Sequence, residues 1–314
     1  MGGVAGGRLA SAISGAGGLG MIGIGTAGSV ELIERESAIP RQGPQPFGIG
    51  LLGWAVDQEP LLLDAALDAQ PILISLGFAN VSPWVHLVHD AGILLATQVY
   101  DVQGARDAQT AGVDIIIARG SEGGGHGLNN VSTLPLLQAV LEEVEIPVLA
   151  AGSIGSARGL AAVLAAGASG AWIGTAFLLC PEALTPAAAH SRIVRANETD
   201  TVYTRSVDAA MGFAWPTQFG ERVCAIASPN DGREMRNTWS TTTGRVRPFR
   251  GLATRTTSIS RRLPQGRVWV CSRTLVAPKR SSMASPTAPP SCWAGGATTP
   301  PTRPENDAGG PATE

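Results

Sequence analysis

Seven short apolar runs, separated by Ala- and Leu-rich stretches of helical period, set the strongest limit on how this chain can fold. The runs are Leu19–Ile24, Pro46–Leu51, Ile72–Leu76, Ile93–Ala96, Val113–Ile117, Pro147–Ala151 and Gly170–Ile173. Between them lie Ser29–Ala38, Glu59–Ala69, Val102–Ala111, Leu134–Val144 and Ala157–Ala166. Strands that are apolar almost throughout must be covered on both faces. Alternation with helices therefore predicts an α/β fold with a parallel sheet. The chain opens on a helical stretch, Gly6–Gly15, with no strand before it. A (β/α)8 barrel of the TIM type needs eight strands, so its first strand is expected upstream of Met1. A seven-stranded open sheet is the alternative.

Composition changes along the chain. Residues 1–223 hold 10 Arg, no Lys and 20 Asp/Glu, a net −10, whereas residues 224–314 hold 13 Lys/Arg and 5 Asp/Glu, a net +8. The second segment also carries 11 of the 22 prolines. The expected division is a barrel domain over 1–223 and a basic Ser/Thr/Pro/Arg-rich tail over 224–314. That tail has too little periodic apolar surface to offset its chain entropy, which predicts disorder. A basic tail can meet nucleic-acid phosphates, but accidental sequence accounts for it as well, and a nucleic-acid partner is not expected. No uninterrupted apolar run is long enough to span a bilayer, and no charged segment leads into an apolar one as in a signal peptide. The four cysteines (Cys180, Cys224, Cys271, Cys292) show neither metal-ligand nor disulfide spacing, so no metal is expected and a reducing cytoplasm fits.

In such a barrel, functional residues should follow the C-terminal ends of strands. Gln98 does. So does Arg119-Gly-Ser-Glu-Gly-Gly-Gly-His-Gly127, a glycine run ending at His126 directly after the apolar Val113–Ala118. An imidazole titrates near neutrality and can take or give a proton, although such a loop can also be only a tight turn. Glu122 is placed to orient His126 or to be solvated. Gly152-Ser153 and Gly174-Thr175 follow the last two strands and precede helical turns, where free N–H groups meet phosphate. Ser153 and Thr175 can instead cap helices. Gly15–Gly20 and Gly23–Gly28 match the dinucleotide pattern G-x-G-x-x-G. The first runs from helix to strand, and the second lacks the acidic residue after the next strand. His86, His89 and His190 lie on helical stretches and are expected to pack or face solvent.

Five segments together resemble the nitronate monooxygenase family, formerly called 2-nitropropane dioxygenases. They are Met1-Gly-Gly-Val-Ala-Gly-Gly-Arg-Leu-Ala, Gly17-Gly-Leu-Gly-Met-Ile-Gly, Glu122-Gly-Gly-Gly-His-Gly, Pro147-Val-Leu-Ala-Ala-Gly-Ser-Ile and Trp172-Ile-Gly-Thr-Ala-Phe. The resemblance implies an FMN-dependent barrel that oxidises alkyl nitronates with O2 to a carbonyl compound and nitrite. It implies His126 as catalytic base. Gly50, Gln98, Arg119, Gly124, Gly125, Gly152, Ser153, Trp172, Ile173, Gly174 and Thr175 are implied around the cofactor. Ser153 stands where the family usually has glycine, Arg119 where many members have Gln, Gly50 at a frequent Asn position and Trp172 at a frequent Gln position. The barrel also resembles flavin-dependent enoyl and NADH:quinone reductases, so an NAD(P)H-dependent reductase is the alternative activity, with an inactive fragment as a further one.

The resemblance stops after Val223, where relatives commonly continue Arg-Asn-x-Phe-Thr. One coding of Cys224–Asn230, read from its third nucleotide, yields Arg-Asn-Arg-Phe-Thr-Glu, so a change of reading frame is expected at or just before Cys224.

Overall fold

The computed structural model describes residues 2–225, so the expectations for the tail fall outside the described residues from position 226 on. All seven expected strands are present: β1 (Gly20–Gly23), β2 (Phe47–Leu52), β3 (Leu73–Gly77), β4 (Leu94–Val99), β5 (Ile115–Arg119), and then, past a short β6 (Gly125–Gly127), β7 (Val148–Ala151) and β8 (Gly170–Trp172). Helix α1 (Gly7–Gly15) precedes β1, and α2 (Val30–Ser37), α3 (Gly53–Gln58), α4 (Leu61–Asp68), α5 (Val85–Asp90), α6 (Val102–Ala111), α7 (Thr133–Leu141) and α8 (Ala157–Ala165) fill the connections. After β8 come a 3-10 turn (Thr175–Leu179), α9 (Ala187–Arg195), β9 (Thr201–Thr204), α10 (Ser206–Met211) and β10 (Gly220–Cys224).

Local chemistry explains the helix starts. Ser29, Asp101 and Ser156 each accept a hydrogen bond from the backbone N–H three residues on, at 3.2, 2.8 and 3.1 Å. Each satisfies a donor that the first helical turn leaves free. Gly112, at φ +93°, ends α6 in the left-handed conformation that glycine adopts without strain.

The strands pair in parallel in the order β1-β2-β3-β4-β5-β7-β8, as a (β/α)8 barrel orders its staves. Alternate residues face opposite ways. One set, including Ile22, Ile49, Ile74, Leu95, Ile116 and Val148, joins the helices in the larger apolar core. The other set, Leu73, Ala96, Ile115, Ile117, Leu149 and Ala151, forms a second core on the inner face. Met21 of β1 and Trp172 of β8 both pack on this inner core, so the two ends of the sheet curl toward a common interior. Among the described residues, β1 and β8 are the edges of the sheet.

A second sheet has no counterpart in the sequence-based expectations. It is antiparallel, with strand order β6-β10-β9. Its register sets Glu221 opposite both His126 and Thr204, and Arg222 opposite Gly125 and Tyr203. Segments about 95 residues apart in the chain thereby meet beside the glycine loop. The Tyr203 hydroxyl ties them together, donating to the Gly127 carbonyl at 2.9 Å and accepting from the Gly220 N–H at 2.8 Å.

Candidate active site

The loop after β5 is moulded around one buried cation. Arg119 is only 5% exposed. Its guanidinium donates to the carbonyls of Gly123 (2.6 Å) and Gly125 (3.0 Å), and reaches those of Gly124 and Leu128 at 3.4 Å. The glycines permit this. A Cβ on Gly127 would collide with the guanidinium, and one on Gly124 would lie 2.5 Å from the Thr175 hydroxyl. Burial pushes the Arg119 pKa down from its ordinary value, but a guanidinium stays charged at neutral pH. Arg119 was expected at the cofactor; its donors instead hold the loop, so its direct contribution there is charge and shape.

His126 follows on β6 with its ring enclosed on three sides. Nε2 lies 3.0 Å from both carboxylate oxygens of Asp208 on α10. Trp215 stacks on one face, with ring centroids 3.5 Å apart and planes 7° from parallel. Nδ1 faces Glu221 of β10, whose Oε2 is 4.0 Å away, too far for a hydrogen bond. Trp54 and Phe78 meet Trp215 edge-on at 5.4 and 5.0 Å and support the stack from the ends of β2 and β3. Phe78 does so at φ +67°, an unusual conformation for a bulky side chain and one that gathers at functional sites. Burial lowers the His126 pKa, and the nearby Arg119 lowers it further, against the pull of Asp208. The imidazole is therefore a free base at neutral pH. Burial raises the Glu221 pKa, and Asp208 adds to the rise.

The two loops expected to hold phosphate flank this one. Ala151 and Trp172 are register partners, so Gly152-Ser153 and Gly174-Thr175 leave the sheet side by side. Gly152 packs under the glycine loop, where a Cβ would lie 3.3 Å from the Gly123 N–H nitrogen. Gly152 and Ser153 have φ of +115° and +53°. These positive φ values make a sharp turn, and successive backbone N–H groups in a turn can form an anion-binding concavity. Among the described residues, the N–H groups of Ser153, Gly174 and Thr175 donate to no backbone carbonyl. Neither hydroxyl caps α8, because Ser156 does that.

Between these loops and the inner core, the sheet presents little side chain. Gly23 and Gly50 are register partners, Gly50 pairs with Ser75, and Gly77 follows two residues later on the same face. A Cβ on Gly77 would stand 3.7 Å from the Gln98 amide nitrogen, so Gln98 stands at the rim of this bare surface. Trp172 closes the other side against the inner core.

Most of the expected residues thus lie at the C-terminal ends of the strands. The Ile173 side chain packs on the outer core, so only its backbone faces the site. Glu122 does not orient His126: its carboxylate accepts from the Thr133 N–H at 2.8 Å and from the Thr133 hydroxyl at 3.1 Å, fixing the start of α7. Asp208, Trp215 and Glu221 carry no spacing relative to His126 that a sequence pattern reveals. Their one signal was that the resembling stretch runs on to Val223. His89 is tied to Asp114 at 2.9 Å on the periphery, as a packing or solvent-facing histidine should be. Among the described residues, no helix is long and apolar enough to cross a membrane.

Comparison with known proteins agrees with this arrangement. The family model described as nitronate monooxygenase matches residues 1–223. A carboxyl-CoA dehydrogenase of the octahydro-indene class from Rhodococcus jostii is 36% identical over 211 residues, covering 66% of this chain and 58% of the relative. A nitronate monooxygenase from Paraburkholderia phytofirmans is 30% identical over 231 residues, covering 58% of this chain and 62% of the relative. The chain thus spans about three-fifths of the length of these relatives. Among solved structures, FabK from Thermotoga maritima aligns with a TM-score of 0.63 at 32% identity, over 71% of this chain and 68% of that one. A nitroalkane oxidase from Streptomyces ansochromogenes aligns at 0.60 and 27% identity, over 71% and 74%.

Proposed function

The chain belongs to the nitronate monooxygenase family of oxidoreductases, and on that premise we propose that residues 1–223 bind FMN and oxidise alkyl nitronates with O2 to a carbonyl compound and nitrite. One observation carries this reading. The loop bearing His126 and the turns Gly152-Ser153 and Gly174-Thr175 open at the same end of the sheet, packed against one another.

The residues present fit a phosphorylated flavin. The free N–H groups of Ser153, Gly174 and Thr175 suit its phosphate, with the two hydroxyls beside them. Gly23, Gly50 and Gly77 leave a surface bare enough for a flat ring system, and Gly124 and Gly125 bring backbone rather than side chain to the rim. Gln98 would hydrogen-bond the polar side of the ring, while Arg119 adds positive potential beneath the loop. When bound, FMN supplies the electron acceptor and the reactivity toward O2 that no side chain offers. The chain's own residues bind, orient and move a proton. His126, a free base near neutrality, takes the α-proton of a neutral nitroalkane or stands beside an already ionised nitronate. The aromatic group Trp54, Phe78 and Trp215 keeps water from that side of the imidazole.

The test is direct. The purified chain should carry a flavin spectrum and release nitrite from propionate 3-nitronate in air. His126→Ala should lower turnover of neutral nitroalkanes about 100-fold or more, the usual contribution of a positioned base, and leave nitronates much less affected. Equal loss on both would remove His126 as the base. A second reading has its own support, since the relative at 36% identity is named a carboxyl-CoA dehydrogenase and not a nitronate enzyme. A flavin that NAD(P)H or an acyl-CoA reduces anaerobically, with no nitrite formed from nitronates, would establish a reductase or dehydrogenase on the same scaffold.

A further inference from the structure

We infer that Asp208 is a positioning residue: it fixes His126 as the Nε2–H tautomer and so leaves Nδ1, on the side of Glu221, as the atom that accepts the proton. The clause about proton acceptance rests on the reading of His126 as the base; the tautomer assignment does not.

Both oxygens of the Asp208 carboxylate stand 3.0 Å from Nε2. An ionised carboxylate only accepts, so the proton in that contact belongs to the imidazole. Asp208 is 6% exposed, which keeps water from competing for the contact. The ring cannot exchange its edges cheaply. A half-turn about the Cβ–Cγ bond would present Cε1 to the carboxylate, and Trp215, 3.5 Å away and nearly parallel, restricts tilting. Nδ1 then keeps its lone pair. Among the described side chains, the charged and titratable groups that face the ring are Asp208 from α10, Glu221 from β10 and Arg119 from β5. Glu221 is the group nearest Nδ1, and its Oε1 is buried without a hydrogen-bond partner among the described residues. A short movement of the Glu221 carboxyl closes the 4.0 Å gap and lets it take the proton onward.

The step balances without an added oxidant. On a neutral nitroalkane the α C–H bond breaks and its proton forms the Nδ1–H bond. The electron pair moves into the carbon–nitrogen bond and onto the nitro oxygens, giving the nitronate. The imidazolium so formed lies against the Asp208 carboxylate, which stabilises its charge. This division of labour, with a base oriented by a buried carboxylate, recurs on unrelated folds.

The decisive experiment is nitrogen NMR on the full chain labelled at histidine. The chain has four histidines, and the His126→Gln spectrum assigns the one of interest. Near pH 8 the wild type should show an N–H-bearing Nε2 and a lone-pair Nδ1. Asp208→Asn should lower the pH midpoint of His126 by about one pH unit or more, the usual effect of losing an adjacent opposite charge, and mix the tautomers. Asp208→Glu should restore part of both. An Nδ1–H tautomer in the wild type overturns the inference, whatever Asp208→Asn does. An unchanged tautomer and midpoint in Asp208→Asn overturns it too. Kinetics separate the two readings. If Asp208→Asn changes the tautomer but leaves nitroethane turnover equal to that of the wild type, Asp208 positions a ring that is not the base, and the reading of His126 as the base falls while the tautomer assignment stands.

Discussion

The parallel sheet and the small antiparallel sheet beside its mouth are built by different means. Each stave of the parallel sheet pairs with a neighbour close in sequence, and three of the connecting helices, α2, α6 and α8, start on a Ser or Asp cap of their own. The small sheet joins β6 to β10, where His126 stands opposite Glu221 about 95 residues further on, and to β9 beyond it, with one tyrosine hydroxyl tying the three together. The first sheet brings the loops to one end. The second decides how the imidazole is held there, since Glu221 comes from β10 and Asp208 from the helix between β9 and β10. Scaffold and orientation are therefore separable, and variants should separate them.

The largest effect is expected where both depend on one residue. Arg119→Met keeps the side-chain volume but removes the donors that serve the Gly123 and Gly125 carbonyls. Leaving buried acceptors unpaired costs about 1–3 kcal/mol each, so the unfolding free energy should fall by about 4 kcal/mol, read from urea midpoints. Flavin retention should fall with it. A loss below about 1 kcal/mol would mean that the loop holds itself without the cation. A smaller effect is expected for Tyr203→Phe, which cuts only the tie between the Gly127 carbonyl and the Gly220 N–H. About 1–2 kcal/mol should be lost, with hydrogen exchange accelerated in β6, β9 and β10 and unchanged in β2–β5. Equal acceleration in both sheets would show that they do not open separately.

The same contrast explains what could be read from the residues. Runs such as Ile115–Ile117 and Leu149–Ala151 are buried on both faces because helices and inner core cover them, so apolar continuity alone locates them. Loops that follow such strands inherit their place at one end, which is why His126, Gly152-Ser153 and Gly174-Thr175 could be expected at one end of the sheet. Partners chosen by distant register could not. Nothing local in Ser206–Met211 says that Asp208 will reach the imidazole, and Glu122, four residues before His126, was the natural candidate until the Thr133 hydroxyl and N–H claimed it. Ile173 shows a related point. A backbone segment can line a site while strand alternation sends its side chain the other way.

Ser153 belongs to the scaffold yet carries strain for the site. Its φ of +53° costs a non-glycine residue about 1–2 kcal/mol, while glycine there would add chain entropy to the unfolded state worth about 0.4–1 kcal/mol. Ser153→Gly should therefore raise stability by about 0.5 kcal/mol in the absence of cofactor, the difference of those two magnitudes. If the hydroxyl serves the phosphate, the same change weakens FMN binding. Stability and affinity moving in opposite directions would show that the serine is kept for the ligand. Movement together would assign it no such role.

The smallest effect is expected from pH, and it reports the small sheet alone. The pKa of His126 is lowered in the folded chain, so from pH 6.5 downward the unfolded chain binds a proton that the folded one refuses, and stability is lost on acidification. The pKa of Glu221 is raised from 4.5, so between that value and its folded-state value the folded chain binds the extra proton, and stability is regained as pH falls. The two contributions oppose each other as the solution is acidified from neutrality. Urea midpoints at pH 7 and pH 5 should therefore diverge on single substitution. Glu221→Gln should lose more stability than the wild type over that interval and His126→Gln less, with the ionisations of the rest of the chain cancelling in the differences. Identical pH dependence in all three proteins would place both side chains in water, and would sever the small sheet from any part in holding the imidazole.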